Sequence, residues 1–74
     1  MRLLITPEGK LLNLDLISNF EFNNYHVVAN INERSYNLFK FENESSAKSW
    51  ILNDLVKLII KNEDVIDLRK HVPN

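Results

Sequence analysis

Apolar and polar residues alternate along the first half of the chain in patterns that predict short β-strands. The runs at 2–6, 11–22, 25–31 and 36–41 carry apolar side chains at alternate positions or in short blocks. A period of two places alternate side chains on one face, which is typical of half-buried strands. A last apolar run at 65–68 predicts a possible short strand near the C-terminus.

Turn-forming residues separate these runs. Pro7 and Gly9 favour a turn between the first two strands, and Asn23-Asn24 favours a two-residue type I′ turn because asparagine tolerates the left-handed region. Ser18-Asn19 is predicted to interrupt the second run as a bulge or bend. That run directs three leucines to one predicted face: Leu12, Leu14 and Leu16.

The fourth run is apolar on both predicted faces. Tyr36 and Leu38 fall on one face, while Phe39 and Phe41 fall on the other. A strand of this kind is usually central or covered twice. The alternative is that the Tyr36 ring lies along the outer surface.

The segment 44–62 has helical periodicity. Asn43 is suited to cap its first turn, and Glu44 suits the positive end of the helix dipole. At 100° per residue the face predicted to pack on the sheet comprises Ala47, Ile51, Leu52, Leu55, Leu58 and Ile59. Val56 and Ile60 lie beyond that stripe, and Trp50 falls on the polar arc.

This order of elements predicts an α+β fold with a single domain over 1–74. An antiparallel β-meander of about four strands would be followed by one long amphipathic helix packed on one face. The possible strand at 65–68 would add to this arrangement.

One stretch resembles small uncharacterised bacterial and phage proteins in which a curved meander leads into a helix. It runs from Phe39 and Phe41 through Asn43, Glu44 and Ala47 to Trp50-Ile51 and Leu55, and the resemblance spans 11–62. In outline the topology is similar to a pleckstrin-homology-like half barrel. The resemblance implies a shape and supplies neither an activity nor site residues.

Composition limits the kinds of site, the cellular location and the partners that are expected for this chain. The chain has 74 residues, no cysteine and a formal net charge of −1. Disulfides and thiolate metal sites are therefore excluded, and a cytoplasmic location is expected. No apolar run approaches the roughly 20 residues of a membrane span. The near-neutral charge argues against nucleic acid as the main partner.

The reactive side chains do not form a recognisable catalytic pattern. His26 and His71 lack the spacing of a metal or triad motif, and the neighbouring carboxylates Glu42 with Glu44 and Glu63 with Asp64 flank the helix. We therefore predict no catalytic, metal or cofactor-binding residues and no enzymatic activity.

Two functional hypotheses remain. The first is a protein-interaction module, acting as an adaptor or inhibitor or as a homodimer, that uses Trp50, Val56 and Ile60 or an edge strand at 2–6 or 65–68. Its alternative is that these three side chains are covered within the fold. The second is a nucleic-acid-associated regulator using Tyr25, Arg34 and Tyr36, whose aromatic rings suit base stacking.

Overall fold

Two three-stranded sheets and one long helix enclose a common core in the computed structural model, which describes residues 1–73. The strands are β1 (Leu3–Ile5), β2 (Leu11–Asn13), β3 (Asn19–Asn23), β4 (His26–Ile31), β5 (Arg34–Lys40) and β6 (Val65–Asp67). The helix comprises α1 (Glu44–Trp50), a π-helical segment (Ile51–Leu55) and α2 (Val56–Ile60). The α+β class is confirmed, and the predicted strand after the helix is present as β6.

The strands do not form one continuous meander. β3, β4 and β5 form an antiparallel sheet in that order, while β2, β1 and β6 form a separate small sheet. β1 pairs antiparallel with β2 and parallel with β6. Two parallel strands need a long connection between them, and here that connection includes the helix. Sequence periodicity does not predict which of two such distant segments pair, or in which register.

The predicted strand at 11–22 is broken at Asn13. The Asn13 side-chain Oδ1 accepts a hydrogen bond from the Asp15 N–H at 3.0 Å, and a 3₁₀ turn over Leu14–Leu16 begins there. Such local side-chain bonds compete with strand pairing. Leu12 and Leu14 are buried as predicted, but the turn directs Leu16 to solvent, so its predicted inward placement is wrong.

The hairpin turns follow the sequence signals with small shifts. Gly9 adopts a φ of +91° in the first turn, where its N–H donates to the Thr6 carbonyl at 2.8 Å. The second turn is centred on Asn24-Tyr25 rather than Asn23-Asn24, because Asn23 pairs with His26. Both central residues have positive φ, as a type I′ turn requires.

A β-bulge in β5 explains why the fourth run carries apolar residues on both predicted faces. His26 pairs with Lys40 and Val28 with Asn37, so Leu38 and Phe39 together oppose Val27 alone. The extra residue lets both Leu38 and Phe39 point into the core, where both are buried.

Arg2 fastens the C-terminal end of the helix to the small sheet. Its guanidinium donates to the carbonyl oxygens of Ile59 at 2.9 Å and Glu63 at 3.0 Å. A cation at a helix C-terminus satisfies free carbonyls and opposes the negative end of the dipole. The helix stops there because Asn62 adopts a left-handed φ of 59°.

This helix end gives a stability prediction. Asn62→Gly should raise the free energy of unfolding by up to about 1 kcal/mol, since glycine has no Cβ to strain in the left-handed region. The matched control Lys57→Gly, in the interior of α2, should lower it by about 1 kcal/mol. Urea denaturation measures both. Equal losses for the two variants would contradict the left-handed helix end.

Candidate functional site

Trp50 lies in the core. It is 4% exposed, and its ring packs edge-on against Phe39, with the centroids 5.3 Å apart and an interplanar angle of 85°. The Phe41 ring lies 5.8 Å away on a tilted contact. Of the two alternatives left open for Trp50, the structure supports burial, so this residue does not belong to an exposed surface.

The reason lies in the rotation of the helix about its axis. The buried helix residues are Ala47, Trp50 and Leu55. Trp50 is three residues after Ala47, and such positions share a helix face. The apolar arc is too wide to face the core as a whole, and packing of Trp50 selects one edge of it. The opposite edge then turns outward, so the predicted burial of Leu52 is wrong: it is 68% exposed.

Leu52, Val56 and Ile60 form the exposed apolar surface of the helix, here called the helix stripe. Ile60 is 73% exposed and Val56 is partly buried. The three residues are spaced by four, which places them in a row about 12 Å long at 1.5 Å rise per residue. Sequence reasoning identified Val56 and Ile60 but missed Leu52.

The π-helical segment helps to align this row. The Val56 N–H donates to the Ile51 carbonyl, five residues back. Residues four apart on an α-helix drift about 40° round its axis, and the wider turn rotates the chain less per residue. The drift between Leu52 and Val56 is therefore reduced. Single π turns of this kind occur frequently at functional sites.

Polar groups border the helix stripe. Ser49 and Asn53 are exposed and hydrogen-bonded to each other at 3.1 Å, and Lys48 forms an exposed ion pair with Glu44 at 3.9 Å. Lys57 and Lys61 instead line a groove of about 370 Å³ between the helix and the C-terminal segment. An apolar row with a polar border has the composition of a small protein interface.

The outer face of the small sheet is a second apolar surface. Leu4 points into the core, so its neighbours Leu3 and Ile5 point to the other face. Leu3 lies opposite Val65, and Ile5 lies opposite Leu11. Val65 is 45% exposed and Leu11 is 65% exposed. We call these four residues the sheet patch.

The edge strands offer less for association than the sequence suggested. The segment 2–6 is not an edge, because β1 is paired on both sides. β6 is an edge strand, but it is only three residues long. Short edge strands present few free backbone groups to a partner strand.

The three residues of the nucleic-acid hypothesis are not brought together. Tyr25 is at one end of the β4–β5 hairpin and Arg34 at the other, about 20 Å apart at 3.3 Å per residue. Tyr36 pairs with Ala29 and packs against the core, with the Lys10 ammonium 5.7 Å from its ring centroid. A stacking platform needs adjacent rings on one surface.

Within residues 1–73, no group of three or more histidine, aspartate or glutamate side chains is placed to hold a metal ion. None of the helices in this part of the chain is long and apolar enough to cross a membrane. No protein-family model, curated protein or solved structure matches the chain. The resemblance to small bacterial and phage proteins therefore stays an expectation.

The hydrogen bonds from Arg69 hold the pKa of Asp67 well below its ordinary value, at about 2. The Arg69 guanidinium donates to both carboxylate oxygens at 2.9 Å, and the Arg69 backbone N–H donates at 3.1 Å. Asp67 stays ionised at neutral pH, so it is not available there as a general acid. The pair fixes the 3₁₀ turn over Leu68–Lys70.

The depressed pKa makes stability depend on acid pH. The contribution of the ionised Asp67 to the free energy of unfolding is complete above the unfolded-state pKa near 4 and is lost as the pH falls towards 2. Asp67→Asn should lower the free energy of unfolding at neutral pH and flatten its decline between about pH 4 and pH 2. Arg69→Gln should reproduce this effect, measured by urea denaturation across pH. Unchanged curves for both variants would contradict the pairing.

Burial of Trp50 gives a second prediction. Since it is the sole tryptophan, its fluorescence should be blue-shifted and poorly quenched by acrylamide in the folded protein. Trp50→Ala should cost about 3–5 kcal/mol through the cavity it leaves. The matched exposed substitution, Leu52→Ala, should change stability by about 0.5 kcal/mol or less. A solvent-like emission spectrum would contradict the core position.

Proposed function

We propose that this protein is a non-enzymatic protein-interaction module that binds its partner through the helix stripe. The observation that carries the proposal is the exposure of Leu52 and Ile60 on one row of a helix whose other apolar residues are packed. Single exposed apolar residues are common, but a contiguous apolar row with a polar border is typical of partner sites.

Burial of this row would release useful free energy. Full burial of one aliphatic side chain stabilises by about 1.5–3 kcal/mol. The row is on a helix held at both ends, by Asn43 capping the Ser46 N–H at 2.8 Å and by Arg2 at the C-terminus. A rigid element loses little conformational freedom on binding, so more of this free energy appears as affinity.

The proposal includes a cytoplasmic setting. Its support is the cysteine-free composition, which fits a reducing compartment. The partner in this proposal is a protein chain, either a second copy or a larger protein on which the module docks as an adaptor or inhibitor.

Site-specific photocrosslinking in cells tests the proposal. A photoreactive amino acid at position 52 should give a discrete protein adduct, because the proposal places a bound chain against Leu52. The matched control is position 37, where Asn37 is exposed on the outer face of the β3–β4–β5 sheet. Adduct formation at position 52 no greater than at position 37 would contradict the proposal.

A further inference from the structure

We infer that the groove between the helix and the C-terminal segment binds a small organic anion with an apolar body and one carboxylate or phosphate group. The groove is separate from the helix stripe, so this inference does not rest on the proposed function. The groove has a volume of about 370 Å³, which is within the range of small-ligand sites. Its lining combines apolar side chains with two lysines, and these match the two parts of such a ligand.

The groove and the helix stripe lie on different sides of the helix. Trp50, Asp54 and Leu58 are spaced by four residues and line one wall of the groove. The helix stripe has the same spacing but is offset from this row by two residues. Two residues correspond to about 200° round a helix axis, so the two rows do not face the same side. A ligand in the groove therefore leaves the stripe accessible to a protein partner.

The apolar part of the lining comes from both sides of the groove. Leu58 belongs to the helix, while Val72 and Pro73 follow the 3₁₀ turn over Leu68–Lys70. Trp50 also lines the groove, although most of its surface is packed in the core. Val72 is 66% exposed, so it offers apolar area that a bound ligand covers. Removal of this area from water favours a ligand with an apolar body.

Two lysines give the groove positive charge. Lys57 and Lys61 are exposed and both line it. They are one helical turn apart, which separates their Cβ atoms by about 5–6 Å and lets both ammonium groups approach one anionic group. Neither lysine forms an ion pair with a carboxylate over the described range 1–73. Their charge is therefore available to a ligand.

One carboxylate opposes the two lysines. Asp54 is the acidic side chain that lines the groove among the described residues, and the lysines outnumber it. The lining therefore carries a net positive charge at neutral pH even when His71 is counted as neutral. A neutral imidazole keeps one ring N–H, so His71 adds a hydrogen-bond donor to the same lining. This balance favours a ligand with an anionic group, although the chain as a whole has a net charge of −1.

Fluorescence titration with anilinonaphthalene sulfonate tests the inference, because this dye has an aromatic body and one anionic group. Its emission should rise on binding, with energy transfer from Trp50 and a dissociation constant below about 1 mM. Naphthoate and naphthyl phosphate carry the two proposed anionic groups, and at least one of them should displace the dye. The uncharged control naphthylmethanol should be weaker by about threefold or more, since it lacks the attraction to the lysines.

Charge variants test whether the dye binds in the groove. Lys57→Gln with Lys61→Gln should weaken dye binding by about threefold or more at low salt, whereas Asp54→Asn should strengthen it. The matched control, Lys10→Gln with Lys48→Gln, removes the same charge elsewhere and should change the affinity by less than about twofold. Circular dichroism confirms that each variant is folded. Equal weakening in the two double variants would overturn the groove as the site.

Chemical-shift mapping by NMR tests the position without any substitution. Addition of the displacing naphthyl compound should shift the Trp50 indole signal and the backbone signals of His71 and Val72, with little change at Leu52 and Leu11. Shifts confined to the helix stripe or the sheet patch would overturn the site. So would the absence of binding by the dye and both naphthyl anions up to about 1 mM. The proposed function is judged separately, by the crosslink at position 52.

Discussion

The contact of Trp50 with Phe39 and Phe41 is the constraint on which the rest of the structure depends. The β5 bulge turns Phe39 inward beside Leu38, which creates an aromatic site at the end of the sheet. The Trp50 ring fills that site from the helix. Because an aromatic side chain buries a large area in a specific geometry, this contact fixes the rotation of the helix about its axis.

The helix stripe is a consequence of that rotation. The helix carries more apolar side chains than one face can bury, and seating Trp50 leaves Leu52 and Ile60 outside the core. A chain of 74 residues without cysteine has a limited core and no disulfide to support it. Association through the stripe would add buried apolar area and offset this limitation.

Local sequence signals predicted much of the fold. The α+β class, the helix start at Asn43, the turn at Gly9 and the last strand all follow from capping, turn chemistry or periodicity. These signals are short-range. The separation into two sheets, the parallel β1–β6 pairing and the bulge in β5 depend on contacts between distant segments, and periodicity does not encode those contacts.

The candidate site was predictable only in part for the same reason. A helical wheel gave Val56 and Ile60 as surplus apolar residues, but it cannot choose which edge of a wide apolar arc faces the core. It therefore placed Leu52 on the wrong side and left open whether Trp50 is buried. The useful signal would have been the two phenylalanines just before the helix, Phe39 in β5 and Phe41 directly after it, since aromatic rings tend to pack together and could have shown that Trp50 faces them.

In this fold Trp50, rather than Leu52, faces the core. Solution NMR with a soluble paramagnetic agent tests it directly. We expect nuclear Overhauser contacts from the Trp50 indole to the Phe39 and Phe41 rings. The agent should strongly broaden the Leu52 and Ile60 methyl signals and leave the Leu55 methyls protected. A broadened Trp50 indole together with protected Leu52 methyls would contradict it.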